Sequence, residues 1–102
     1  MVHYPHRSVT LSVLTERYAH GGGLVVELID VSDGMSYATA SVNVAGVQLA
    51  DDEFVFKTYS ENEYLLDAML EYGLVELTGR HAEAGFAGPQ PICRLRAPDL
   101  RV

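Results

Sequence analysis

The sequence has no tryptophan, a single cysteine, and half as many basic residues as acidic ones. Each shortage excludes something. A lone Cys93 cannot build the internal disulfide framework that staples many small secreted domains. Seven Lys and Arg against 14 Asp and Glu give a net charge of −7. That excludes the counterion-displacing grip on phosphates on which non-specific nucleic-acid binding depends. No apolar run reaches the ~18 residues needed to span a bilayer. The segment 1–10, MVHYPHRSVT, lacks the apolar core of a secretory signal. The expectation is a cytoplasmic protein with no membrane partner and no direct contact with nucleic acid.

What is present is a globular composition, 48% hydrophobic over 102 residues. One domain over 1–102 is expected, with 1–7 and 97–102 as frayed termini. The stretch YSENEYLLDAMLEYG, 59–73, carries the fullest helix punctuation. Ser60 and Glu63 have capping-box spacing, and Gly73 can turn left-handed past the end. Leu65, Leu66, Ala68, Met69 and Tyr72 fall on one side of a helix over about 61–72.

The rest reads as strands. Residues 8–14 alternate, with Val9, Leu11 and Val13 on one face. Residues 24–31, LVVELIDV, are nearly continuous in apolar residues and read as a central strand. Ser32-Asp33-Gly34 makes a hairpin turn. Residues 36–44 give a third strand, with Tyr37, Thr39, Ser41 and Asn43 on one face. Phe54, Val55 and Phe56 are either a fourth strand or a plug beneath the helix. Leu74 to Leu77 return as a short strand or in extended form, Thr78-Gly79 turns, and 80–91 read as a loop with room for a kinked edge strand, because Gly85, Gly88, Pro89 and Pro91 interrupt it. Residues 92–95 close the list of strands. The fold class is α+β: an antiparallel sheet of four to six strands with one helix packed on a face.

Chemistry-bearing patterns are sparse. Cys93 sits between Ile92 and Arg94 in a strand, where cysteine behaves as a small hydrophobe and not as a nucleophile partnered by His81. His3, His6, His20 and His81 are scattered, without metal-ligand spacing. Asp51, Asp52 and Glu53 are adjacent and lack the alternation of a calcium loop. Gly21-Gly22-Gly23 precedes a strand, so it is no phosphate cradle. No catalytic residue, cofactor or metal is expected.

Charge placement is more informative. Residues 51–71 contain seven acids and one base, so six of the seven net negative charges fall there. Glu63, Asp67 and Glu71 are spaced i, i+4, i+8, with Tyr64 beside them. Like charges at this spacing repel, at about 0.2–0.5 kcal/mol per pair. One explanation is a solvated, solubilising face. The other is a docking face, since carboxylates beside an aromatic ring suit arginine.

The runs LVVELID, YATASVNV, KTYSENE with its L-L-x-A-x-L helix, GL-x-E-x-TGR and PICRL together resemble a family of small uncharacterised bacterial domains. Its members occur on conjugative elements, plasmids and phages. The resemblance implies a compact α+β domain of mobile-element origin and carries no assigned catalytic residue. It adds weight to a small acidic protein-binding module, such as an anti-CRISPR or anti-restriction inhibitor of a host nuclease. The expected docking residues are Glu63, Tyr64, Asp67, Glu71, Asp51, Asp52 and Glu53, facing a basic protein surface. The alternatives are a structural or homo-oligomeric module, a homodimer among them, and a small-ligand domain or enzyme on the sheet face of Tyr37, Thr39 and Asn43.

Overall fold

The computed structural model describes residues 2–4, 9–18 and 23–96. The first sheet is a meander. Its three main strands are β2 (Val9–Arg17), β3 (Leu24–Asp30) and β4 (Ser36–Thr39), and the short β1 (Val2–Tyr4) joins at the β2 edge. The second sheet has the order β5 (Ser41–Val42), β6 (Glu53–Phe56), β8 (Pro89–Leu95), β7 (Val75–Glu83). All pairings are antiparallel. Because β8 lies between them, β6 and β7 run parallel, and the connection between them carries α1 (Leu65–Glu71), the one α-helix among the described residues. The α+β class and antiparallel pairing therefore stand, with the strands divided between two sheets.

The division occurs inside the segment 36–44, expected as one strand. Ala40 donates its N–H to Val26 O at 2.8 Å and accepts from the Lys57 N–H at 2.7 Å. One residue thus closes the ladder of the first sheet and opens that of the second. Its neighbour Ser41 is buried. The Ser41 Oγ accepts the Val26 N–H at 2.9 Å and lies 3.0 Å from the Tyr18 hydroxyl. The regular alternation of faces fails at this crossing, which two consecutive buried residues mark.

The main core lies between the sheets. Leu11, Val26 and Leu28 from the first meet Phe54, Phe56 and Cys93 from the second, and Leu65, Ala68 and Met69 of α1 join them. The other face of the second sheet carries a smaller cluster. Val55, Ala82 and Ile92 are covered by Val42, Val44, Val47 and Leu49. Phe54, Val55 and Phe56 are therefore a strand with both faces covered, which explains why the run does not alternate.

Three expectations are corrected. The segment 80–91 holds more strand than the expected loop with a kinked edge strand: β7 and β8 form a long hairpin, turning through a 3₁₀ segment at Gly85–Ala87. Thr78-Gly79 is a bulge inside β7, with Gly79 at φ 87°. Pro89 and Pro91 are tolerated because the β6 pairing of β8 ends at Ile92. Second, residues 2–4, expected within a frayed terminus, pair with β2; residues 97–102 lie outside the described residues.

The third correction concerns the helix start. Residues Ser60–Asn62 form a 3₁₀ turn, and α1 begins only at Leu65. Ser60 has φ 59°, incompatible with the extended backbone of an N-cap, and neither helical segment has a side-chain cap bond. Asn62 takes over the anchoring. Its side chain is fully buried, and its amide donates to Thr39 O at 2.8 Å and Lys57 O at 2.9 Å. The far end behaves as expected. Gly73 has φ 72°, its N–H donates to Leu70 O at 3.0 Å, and the Leu74 N–H reaches Met69 O at 2.9 Å. This is a Schellman closure, with Leu74 and Met69 both in the core.

Candidate protein-docking face

The outer surface of α1 follows from its inner one. Leu65, Ala68 and Met69 are buried and Leu66 and Leu70 pack against the core, which leaves Asp67 and Glu71 as the exposed side chains of the helix. Tyr64 precedes the helix and is 46% exposed. Glu63 is exposed in the turn before it. The four residues expected on one side of the connection thus all reach solvent. Only Asp67 and Glu71 belong to the regular helix, so one like-charge i,i+4 pair exists within it, not two. Tyr72 departs from the expected buried face and is 46% exposed beyond the last turn.

The late start of the helix changes the electrostatics. Asp67 is the third helical residue, in the first turn, where the dipole favours an acid. Glu71 is the last residue, where the dipole opposes one, and the last turn has no base. Among the described residues, Glu63, Asp67 and Glu71 have no ion pair.

The loop acids are placed differently. Glu53 is 4% exposed, and its carboxylate accepts the Ala50 N–H at 2.9 Å. It is also paired with Arg80 and, at 3.2 Å, with Arg94. The Ala50 N–H first, then Arg80 and Arg94, hold its pKa below the ordinary glutamate value. Asp52 pairs with Arg94 Nε at 3.4 Å, and Asp51 with Arg17 at 3.7 Å. On β7, Glu76 accepts from Arg94 at 3.0 Å and Arg96 at 3.2 Å. Every described arginine is therefore committed to an acid outside α1. The one described lysine, Lys57, lies over the Tyr59 ring, 5.4 Å from its centroid.

Glu53 thus points into the molecule and not toward a partner, whereas Asp51 and Asp52 are exposed beside their arginines. Sequence reasoning overlooked Arg80, Arg94, Arg96 and Glu76. Their signal was the alternation of Arg94 and Arg96 with apolar residues in ICRLR, opposite Glu76 in a strand that also alternates.

The other candidates fare as follows. Cys93 is fully buried, and burial pushes its thiol up to about 12, which keeps it protonated. His81 is exposed on β7, while His6 and His20 lie outside the described residues, as does the His3 side chain. Among the described residues no group of three His, Cys, Asp or Glu is placed to hold a metal. Tyr37 packs against the main core, Thr39 is the last residue of β4 and its carbonyl accepts the Asn62 amide, and Asn43 lies beyond the sheet crossing. No helix among the described residues is long and apolar enough to cross a membrane. No protein-family profile, curated protein or solved structure matches the chain.

Proposed function

We propose that the chain is a small, non-catalytic, acidic binding module that docks a basic protein surface through Glu63, Tyr64, Asp67 and Glu71. The observation that carries this reading is the division of the acids. The described arginines are spent on Asp51, Asp52, Glu53 and Glu76, and the helix acids keep their charge for solvent or a partner. Carboxylates in water beside an exposed tyrosine suit guanidinium groups, by bidentate bonding and by ring stacking. Asp51 and Asp52, exposed but paired with Arg17 and Arg94, are secondary contributors, and Glu53 takes no part. A surface that normally binds phosphates is the natural counterpart, because carboxylates can occupy the same basic groove. With the resemblance to mobile-element domains, this makes a cytoplasmic inhibitor of a phage-defence nuclease, of the anti-CRISPR or anti-restriction kind, the leading reading.

The test is capture of such a nuclease from host lysate at stoichiometric yield, repeated with Asp67→Lys/Glu71→Lys and with Asp51→Ala/Asp52→Ala. Capture lost with the first pair and only weakened with the second supports the reading. Full affinity of the charge-reversed protein at low and physiological salt removes it. A second reading, a homo-oligomeric structural module, is supported by Leu77, 55% exposed on the edge strand β7. Sedimentation of the native chain against Leu77→Lys separates the two readings.

A further inference from the structure

The outer face of the second sheet presents an apolar patch under an unusual cover. Val55 and Ile92 face each other across β6 and β8, and Ala82 adds to them from β7. The cover is the segment 43–50, which contains no helix or strand and reaches over the patch through Val44, Val47 and Leu49. With no ladder of its own, it is held at a few points. Arg80 Nη1 donates to Gln48 O at 3.1 Å, while Nη2 binds the Glu53 carboxylate. The same carboxylate takes the Ala50 N–H at 2.9 Å. Arg17 donates to Asp51 O at 2.8 Å. Leu49 rests on Gly23, where a Cβ would lie 2.6 Å from Leu49 Cδ1. Gly46, with φ 79°, forms the bend of the segment.

We infer that residues 43–51 are a latch over the outer apolar face of the second sheet, with Arg80 and Glu53 as its catch, and that the latch opens while the main core stays closed. Three features separate it from the rest of the fold. Its apolar contacts form a cluster distinct from the main core. Its polar attachments are mostly charge-assisted hydrogen bonds from its backbone to Arg80, Glu53 and Arg17, beside one backbone bond from the Glu53 N–H to Ala50 O at 3.1 Å, and Arg80 is exposed to water and to competing ions. Segments with few buried contacts and little regular hydrogen bonding are the ones that open locally. When the latch lifts, Val55, Ile92 and Ala82 become a transient apolar surface on the side of the sheet away from α1.

The molecule contains its own control. Val55 and Cys93 are on paired strands, 1% and 0% exposed, yet they face opposite sides of the sheet. Val55→Cys places a second thiol beneath the latch, with native Cys93 reporting the main core. Labelling with an aromatic disulfide reagent, resolved by peptide mass spectrometry, reads both at once. The expected result is faster labelling at position 55 than at Cys93. Adding Arg80→Gln should speed position 55 by about tenfold, the scale of one charge-assisted hydrogen bond, and leave Cys93 unchanged. Equal rates at the two thiols, or rates that rise together, would overturn the inference, because opening would then be global. An Arg80→Gln effect at neither site would remove Arg80 as the catch. If Arg80→Gln does not fold, Glu53→Gln tests the same catch, and Val55→Cys alone still decides whether the faces open separately.

Discussion

Residues 51–53 and residues 63–71 belong to one acidic stretch, yet the structure uses them in opposite ways. The first three acids are matched by arginines, and one of them is buried. The helix acids have no base among the described residues. Density of charge along a sequence therefore does not distinguish acids that hold a fold together from acids left for something else. The arginines decide, and they arrive from far away: Arg80 and Arg94 are 27 and 41 residues from Glu53. The helix, by contrast, is fastened through Leu65, Ala68 and Met69 on its inner side.

That contrast can be broken most forcefully from inside the helix. Met69 is fully buried among both sheets. Met69→Ala should cost about 2–5 kcal/mol, while Glu63→Ala or Asp67→Ala should stay within about 0.5 kcal/mol. Chemical denaturation midpoints give both numbers. A costly Asp67→Ala would mean that the helix acids are structural after all.

Next in size is Glu53. Glu53→Ala leaves the Ala50 N–H without its acceptor and removes one of the acceptors of Arg80 and of Arg94, and should cost about 1.5–3 kcal/mol. An effect below about 0.5 kcal/mol, the range of an ordinary surface substitution, would erase the difference between the two acid groups. The same group makes a pH prediction. Its folded pKa is depressed, so its contribution is present above the ordinary glutamate value of 4.5 and is lost as pH falls through the lower folded pKa. The stability gap between the native chain and Glu53→Gln should therefore be constant at neutral pH and shrink below 4.5. A gap that widened on acidification would reverse the assignment.

How much of this was legible beforehand depends on how local the cause is. β2 shows its alternation, β3 its apolar run, and Gly73 its turn, because each effect lies within a few residues of its cause. The crossing at Ala40 was not legible, since it depends on Val26 and Lys57 offering hydrogen bonds from different sheets. The β7–β8 hairpin was hidden by glycines and prolines: Gly79 occupies a bulge, Gly85 and Gly88 the turn, and Pro89 and Pro91 the part of β8 beyond its β6 pairing. The capping box failed for a similar reason. Ser60 and Glu63 had the right spacing, but the tertiary anchoring at Asn62 went with a different backbone there. The exposure of Glu63, Tyr64, Asp67 and Glu71 was legible from periodicity. The burial of Glu53 was not, because nothing next to it in the chain names Arg80 or Arg94 as its partners.

The smallest effect tests where the helix begins, and with it the electrostatic character of the proposed face. If α1 started near Glu61, Asp67 would lie mid-helix and flank two acids at i±4, so lysine there would convert two repulsions to attractions. With α1 at Leu65–Glu71, Asp67 has one such neighbour and the favourable end of the dipole. Asp67→Lys then gains about 0.4–1 kcal/mol from Glu71 and loses about 0.6–2 kcal/mol at the dipole, so the two terms largely offset and leave no net gain. Glu71→Lys has no such conflict. It turns the same repulsion into an attraction and places a cation at the negative end, so both terms add in its favour. Melting temperatures of the two single variants at low salt are the measurement. A clear rise for Glu71→Lys with little change for Asp67→Lys identifies Glu71 as the acid the helix itself would not choose. An equal rise for both would return the helix start to Glu61 and restore the three-acid row with its two repelling pairs.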